Sequence, residues 1–509
     1  MRSSLILVSL CVLSAGCKSN TPAKDAAPAA TKSEAKADGP APDEQVESAA
    51  GPATIGQWVG SLSLPGGQTL EWAVSVQPSQ DGDGLSEAKL WIPAQMITGT
   101  SLGPVKVGAD GSMKVEFAAV GAQWTIVPGA TPTCSFAQKG AEFPCTISST
   151  DVNDFAAIAS PERPQTPEPP FPYAVAELEI PNPDAEGVTL AATLTIPEGE
   201  GPHPAVVMIS GSGLQDRDET IANHKPFWVI ADHLSRNGVA VLRYDDRGFG
   251  ESTGDGTKAT LEDFASDSWA AAAALAARPE IDGERVGLIG HSEGGVIAPL
   301  VAAEHPDDID FIVLLAGTGV TGSEIVIHQQ SLLMAAKGAD KATIEEAEAS
   351  ARELHAAVLG NSAEAAPAAL EALLRAENNE LTDEQKKAGD LDAVIAGQIE
   401  VLNSPWFRHF LAWDPAPVLA RVKVPVLAMF GDLDLQVDVE QNLAPVQAAL
   451  RGNKGAEFVL LPGLNHLFQP ATTGMPDEYG MIEMTIEPAV LDELARWIRV
   501  TTGLDEPQE

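Results

Sequence analysis

Residues 285–305 read RVGLIGHSEGGVIAPLVAAEH, and the organisation of the rest of the chain follows from them. The apolar run 286–289 has the length and composition of a buried strand. Gly290, Gly294 and Gly295 interrupt it, and Val296, Ile297, Leu300 and Val301 then recur at the spacing of one helical face. Strand, sharp turn and helix is a setting that lifts a serine out at the end of a sheet, because flanking glycines tolerate a turn too tight for side chains. The reading predicts Ser292 as a catalytic nucleophile with its hydroxyl exposed at the tip of that turn.

G-x-S-x-G occurs three times in this glycine-rich chain. Around Ser101 the neighbourhood is punctuated by Pro and Gly with no helix behind it, and around Ser252 the motif runs into further turn residues, Asp255 and Gly256. Both copies are expected in loops. Only the copy at Ser292 has a strand before it and an apolar helix after it.

Outward from this elbow, strand-like runs at 205–209, 239–244, 311–316, 424–430 and 458–461 alternate with helical segments. Phe227, Ile230, Ala231 and Leu234 fall on one helical face, Thr260 and Asp263 have capping-box spacing, and amphipathic helices are expected near 440–450 and through Trp497. The alternation predicts an α/β fold, a mainly parallel sheet with helices on both faces and a site at the carboxyl ends of the strands. Its two parts span 161–322 and 421–509. From 323 to 420 the composition turns helical, which reads as a helical lid inserted over the site.

Ahead of this core, strand-like pieces at 70–76, 88–92 and 113–118 are separated by turn signals at 65–67, 81–84 and 110–111. They predict a separate N-terminal β-rich domain, 55–160. Trp58, Trp72, Trp91 and Trp124 fall here and are expected to pack its core. The Pro-rich run 161–172 reads as a stiff connector.

Residues 1–17 carry a basic start and an apolar run, 5–13, too short to span a bilayer, and so read as an export signal. LSAGC (13–17) resembles a bacterial lipobox, although Ser14 rather than Leu stands three residues before Cys17. The resemblance implies lipidation of Cys17 and a lipid anchor in the cell envelope, with Lys18 favouring the outer membrane. Residues 18–54 are rich in Ala, Pro, Lys, Asp and Glu without aromatics, a composition expected to form a disordered tether of roughly 35 Å root-mean-square span. Cys134 and Cys145, the remaining pair in an exported chain, are expected to form a disulfide.

The net charge of −41 belongs almost entirely to residues after 54. Such a surface repels nucleic acid and anionic polymers; the composition reads as a solvated acidic coat.

A serine hydroxyl needs a base, and the base needs an acid that fixes its tautomer. In folds of this kind the order along the chain is Ser, acid, His. The turn after the run 424–430 supplies Asp432 and Asp434, and His466 is the only histidine beyond them. Asp434 is chosen as the acid, with Asp432 shaping the turn and Asp438 as an outside candidate. His291 adjoins the nucleophile and is assigned a packing role. Oxyanion donors are expected from the N–H of Glu293 and from the loop after 205–209, at Ser212 with Gly213 as alternative.

Seven pieces, GSGLQDRDE (211–219), HKPF (224–227), LRYDDRGFGESTG (242–254), GHSEGG (290–295), SPWFRHFLAWDPAP (404–417), FGDLDLQV (430–437) and LPGLNHLFQ (461–469), resemble bacterial α/β-hydrolase esterases grouped with serine aminopeptidase-like proteins. In that group an N-terminal β domain precedes the hydrolase core. The resemblance implies a triad of Ser292, Asp434 and His466 and hydrolysis of small carboxylic esters, usually short-chain, without metal or organic cofactor. Asp216, Arg217, His224 and Arg408 are candidates to line the substrate cavity or, equally, to brace the loop and lid. The rival activity is a serine aminopeptidase with the same triad; a rival of another class is an envelope lipoprotein that binds through its β domain. Oligomeric state is not legible from these residues.

Overall fold

The computed structural model describes residues 56–504 except 64–68, 79–85, 96, 108–111, 118–120, 130, 139–140, 160–161 and 379–390. The export signal with Cys17, the tether 18–54, and the turns expected at 65–67, 81–84 and 110–111 lie outside the described residues. Among the described residues two compact units are present: one made of residues 56–91 and 99–159, the other of residues 162–504 together with Ile92–Thr98.

Alternating apolar residues in short runs build the first unit as an antiparallel meander. Its strands are β1 (Gly56–Ser63), β2 (Thr69–Pro78), β3 (Ser86–Ile92), β4 (Ile97–Val107), β5 (Met113–Phe117), β6 (Ala122–Val127), β7 (Thr133–Gln138), β8 (Ala141–Phe143) and β9 (Cys145–Ser149). The sheet order is β8-β7-β6-β5-β4-β3-β2-β1-β9. A disulfide joins Cys134 on β7 to Cys145 on β9, with Cα atoms 5.7 Å apart. Strands near opposite ends of the order are thus tied together, so the sheet curls toward closure and shields its edges. Trp58, Trp72 and Trp124 are buried in its interior, and Trp91 packs edge-on against Phe155 of the helix Val152–Ala159. Contrary to the expected loop, Gly99–Gly103 lies inside β4.

The second unit carries an eight-stranded mixed sheet: β10 (Tyr173–Pro181), β11 (Thr189–Pro197), β12 (His203–Ile209), β13 (Ala240–Tyr244), β14 (Ile281–His291), β15 (Phe311–Leu315), β16 (Val426–Gly431) and β17 (Ala456–Leu461). The order is β10-β11-β13-β12-β14-β15-β16-β17. From β13 onward neighbours are parallel, whereas β10 and β11 form an antiparallel hairpin that the sequence reading missed. Every residue of β12 is buried, as a strand covered on both faces requires. Ala205, Val207 and Ile209 join one core cluster, and Val206 and Met208 join another on the opposite face. Helices Leu261–Ala276, Gly294–Glu304 and Val439–Ala449 cover the first face, and Pro226–Arg236 and Pro488–Thr501 the second.

The strand sequence reverses direction at β12: the chain moves first to β13 on one side and then to β14 on the other. Loops leaving the carboxyl ends of β12 and β14 therefore diverge, opening a crevice at that end of the sheet. Between β15 and β16 run the helices Gly322–Ala336, Lys341–Gly360, Ala366–Glu377, Leu391–Leu402, Pro405–Ala412 and Ala416–Leu419. Leu354, Val358, Leu370, Leu374, Phe407 and Leu411 give this insertion a core of its own.

The Pro-rich run is fastened to the second unit rather than spanning free. Gln165 accepts from the N–H groups of Thr485 and Ile486 and donates to the Ile486 carbonyl. Among the described residues no helix is long and apolar enough to cross a membrane.

Candidate active site

The last six residues of β14 are buried, so the chain emerges from the core directly at Ser292. Ser292 adopts φ 53°, in the left-handed region that L side chains avoid. Its N–H donates to the Leu315 carbonyl at 2.8 Å, and the helix Gly294–Glu304 begins two residues later. A side chain at Gly290 would run into the Gly294 carbonyl, and one at Gly294 into the Ile209 carbonyl. These close approaches explain why only glycine fits on either side of so strained a turn. The copy at Ser252 lies in a turn, as expected, with its hydroxyl donating to the Asp245 carbonyl at 2.7 Å and accepting from the Ala191 N–H.

Asp434 and His466 project from the turns after β16 and β17. Asp434 Oδ1 accepts from the N–H groups of Gln436 (2.8 Å) and Val437 (2.9 Å), and Oδ2 lies 2.8 Å from His466 Nδ1. With Nδ1–H donating to the carboxylate, the neutral imidazole presents Nε2 as the acceptor. Burial alone would raise the Asp434 pKa; the His466 charge and hydrogen bond, with the two backbone donors, outweigh it and hold the carboxyl below its usual value. The neighbouring acids have other work. Asp432 accepts from the Gly463 N–H, and Asp438 caps the helix Val439–Ala449 and lies 2.8 Å from His328 Nε2.

The loop after β12 presents Gly211, Ser212 and Gly213. The Gly211 N–H is engaged by Glu219 Oε1 at 2.8 Å. Among the described residues no acceptor takes the backbone N–H of Glu293, Ser212 or Gly213, so these groups are free to donate to a ligand.

Other residues near the site have partners that the sequence does not reveal. His291, assigned a packing role, is buried and also bonded at both ring nitrogens: its Nδ1 is 2.9 Å from Glu219 Oε1 and its Nε2 is 3.0 Å from the His466 carbonyl. The four cavity candidates have bracing partners. Asp216 Oδ1 accepts from the N–H groups of Asp218 and Thr220. Arg217 bonds Asp245, Glu177, Glu251 and the Thr193 hydroxyl. His224, fully buried, bridges the Thr485 hydroxyl and the Tyr479 carbonyl. Arg408 donates to the Asn403 side chain and the Asn361 carbonyl. Hydrogen bonds therefore hold Asp216 within its own loop and tie Arg217, His224 and Arg408 to other segments of the chain.

Three groups had escaped notice in the sequence, Glu219 and Asp246 buried and Trp406 partly buried. Glu219 is reached only through its partners; the GSGLQDRDE motif was its one signal. Asp246 accepts from the Ser210 hydroxyl and the Gln215 N–H, and burial foremost, with the Asp267 and Glu293 charges, raises its pKa well above the usual carboxylate range. Trp406, from the helix Pro405–Ala412, donates its indole N–H to the Glu293 carboxylate. Among the described residues no group of three or more His, Cys, Asp or Glu side chains is arranged to hold a metal ion.

The sequence pattern of the X-Pro dipeptidyl-peptidase (S15) family matches residues 186–466, more than half of the chain and a span that contains Ser292, Asp434 and His466. The chain belongs to the S15 family. A curated relative, Esterase EstD of Thermotoga maritima, is 30% identical over 312 residues, covering 61% of this chain and 65% of that protein. The S15-family chain thus spans 65% of the length of the curated relative it matches. Among solved structures, the α/β hydrolase GrgF from Penicillium sp. sh18 matches at 16% identity and a TM-score of 0.40, covering 65% of this chain and 99% of that one. An esterase of Pyrococcus furiosus matches at 15% identity and a TM-score of 0.40, covering 67% and 98%. Where the sequence motifs resembled esterases grouped with serine aminopeptidase-like proteins, the family is S15, described by a peptidase activity, and the curated relative is named an esterase.

Proposed function

We propose that this S15-family hydrolase cleaves small carboxylic esters of short acyl chain through a serine acyl-enzyme. The observation that carries the reading is the buried 2.8 Å contact between Asp434 Oδ2 and His466 Nδ1, at the end of the sheet that also bears Ser292. In the proposed reaction Ser292 Oγ attacks the ester carbonyl while His466 Nε2 takes its proton, and Asp434 stabilises the resulting imidazolium. The oxyanion accepts from the N–H groups of Glu293 and Ser212, with Gly213 as the alternative second donor; one such donor is worth about 3 kcal/mol of barrier. His466 then protonates the leaving alcohol, and water activated by the same imidazole releases the acid. The helical insertion 323–420 serves as the lid of this site.

A second reading is favoured by the family match itself: peptide hydrolysis with the same three residues. The deciding experiment is hydrolysis of p-nitrophenyl acetate, butyrate and octanoate beside aminoacyl- and Xaa-Pro-p-nitroanilides, for wild type and Ser292→Ala. Ester turnover that Ser292→Ala abolishes, without anilide turnover, supports the esterase and ranks acyl lengths. Anilide turnover of similar efficiency supports the peptidase, and silence on both panels sinks both.

We also propose export and lipidation at Cys17, with the lipid anchoring the protein in the cell envelope. The support is the apolar run 5–13 followed by LSAGC. Intact-mass measurement of the protein from bacterial membranes should show a lipid-modified Cys17 as the first residue; an unmodified mature chain overturns the proposal.

A further inference from the structure

Glu219 and His291 are not part of the proposed triad, yet they touch three of the segments that form the site. Glu219 Oε1 takes the Gly211 N–H from the oxyanion loop at 2.8 Å and lies 2.9 Å from His291 Nδ1. His291 Nε2 reaches the His466 carbonyl at 3.0 Å, and the two imidazoles lie 4.7 Å apart between ring centroids. The side chains of His291 and Glu219 are 5% and 2% exposed, so water does not supply substitutes.

Donor and acceptor accounting constrains the protonation of this pair. A carbonyl only accepts, so His291 Nε2 carries hydrogen. Glu219 Oε1 already accepts from Gly211 and serves His291 best as an anion, which places a second hydrogen on Nδ1. The electrostatics agree. Burial lowers the His291 pKa, but the Glu219 charge and hydrogen bond, the His466 carbonyl and the Asp434 charge outweigh it, leaving the pKa raised. Glu219, His466 and Asp434 are the titratable groups that face this ring; Glu293, two residues on, is directed to Trp406.

The backbone bears the cost of putting Glu219 there. It sits at φ 51° without being glycine, a strained conformation that persists where its surroundings enforce it. Asp216 Oδ1 caps the turn through the N–H groups of Asp218 and Thr220, while Arg217 and Asp218 are pinned by Asp245 and Arg243. These bonds fix the turn from which Glu219 reaches His291.

We infer that Glu219 and His291 are positioning residues of the hydrolytic site, a buried carboxylate–imidazolium pair that holds the oxyanion loop and the His466 backbone in register with Ser292. The inference rests on the serine-hydrolase reading above. With both ring nitrogens engaged, His291 is not a substitute base for His466. Its contribution is to fix segments that meet only in the folded chain, where a misplacement of about 1 Å can lower turnover ~100-fold. The pair is also electrically neutral as a unit, so it places no net charge beside His466 while that ring becomes cationic in the transition state.

The test combines a spectroscopic and a kinetic arm. In ¹⁵N-histidine NMR of the full chain, His291, assigned by its loss in His291→Gln, should show protonated Nδ1 and Nε2 at pH 7, and lose the Nδ1 proton in Glu219→Gln. A bare Nδ1 in wild type at pH 7 overturns the pair. Glu219→Gln should lower kcat by ~100-fold with KM changed less than about threefold. His291→Gln, which can still donate to the His466 carbonyl, should leave Glu219 uncompensated and move the acid limb of kcat/KM to higher pH. The double variant should bring that limb back. Variants with full kcat and an unmoved limb overturn the positioning role. Variants that fail to fold leave the wild-type NMR result to decide. Absence of Ser292-dependent turnover in wild type would reject the hydrolase reading instead, a result distinct from either NMR outcome.

Discussion

Trp406 Nε1 lies 3.0 Å from Glu293 Oε2 and 3.2 Å from Oε1, so an indole from the helical insertion holds the carboxylate of the residue that follows Ser292. Burial pushes that carboxyl up to about 7, and the Trp406 hydrogen bond pulls the other way. A carboxyl whose pKa is higher folded than unfolded takes up a proton on folding in the interval, so its contribution to stability falls as pH rises from 4.5 to about 7. Glu293→Gln should remove this fall and gain up to about 3 kcal/mol relative to wild type between pH 5 and pH 8. Trp406→Phe should deepen it. Urea unfolding at the two pH values measures both differences.

Asp434 carries the opposite sign. Its pKa is lowered in the folded state, so its stabilisation is present above 3.8 and is lost as pH falls through the folded value. Asp434→Asn should therefore lose stability relative to wild type at pH 7 and regain parity in strong acid, as acid-unfolding curves would show. Its ester turnover should drop by roughly 10⁴-fold, because an amide can donate to Nδ1 and reverse the tautomer.

Arg217 separates bracing from substrate contact. Its guanidinium bonds Asp245 at 2.8 Å, with Glu177, Glu251 and Thr193 completing the set. Arg217→Met strands the largely buried Asp245 carboxylate and should cost about 3 kcal/mol of stability. KM for p-nitrophenyl butyrate should stay within about twofold if bracing is the whole role; a tenfold rise in KM at unchanged melting temperature would restore Arg217 to the substrate cavity.

The Cys134–Cys145 bridge closes a short loop between β7 and β9. Replacing both cysteines with serine should destabilise the N-terminal unit by about 3 kcal/mol on the chain-entropy account. Short-ester turnover should be unchanged, since Ser292, Asp434 and His466 belong to the other unit. Differential scanning calorimetry with an activity assay on the same sample checks both statements.

Local signals determined what the sequence alone could deliver. The elbow was legible because Gly290 and Gly294 are required by contacts only four residues apart or with the adjoining strand, and the helix head at Thr260 because its cap lies three residues away. Chain order left His466 as the only downstream histidine. The tertiary structure decided which of Asp432, Asp434 and Asp438 faces that histidine, since side-chain direction in a seven-residue turn depends on backbone angles that composition does not encode. It also turned β10 and β11 into an antiparallel hairpin and gave Asp216, Arg217, His224 and Arg408 their bracing partners. Glu219, His291 and the His466 carbonyl meet across 72 and 175 residues of sequence. No periodicity or spacing rule reaches that far; only the packing of strands and loops brings such groups within hydrogen-bonding distance.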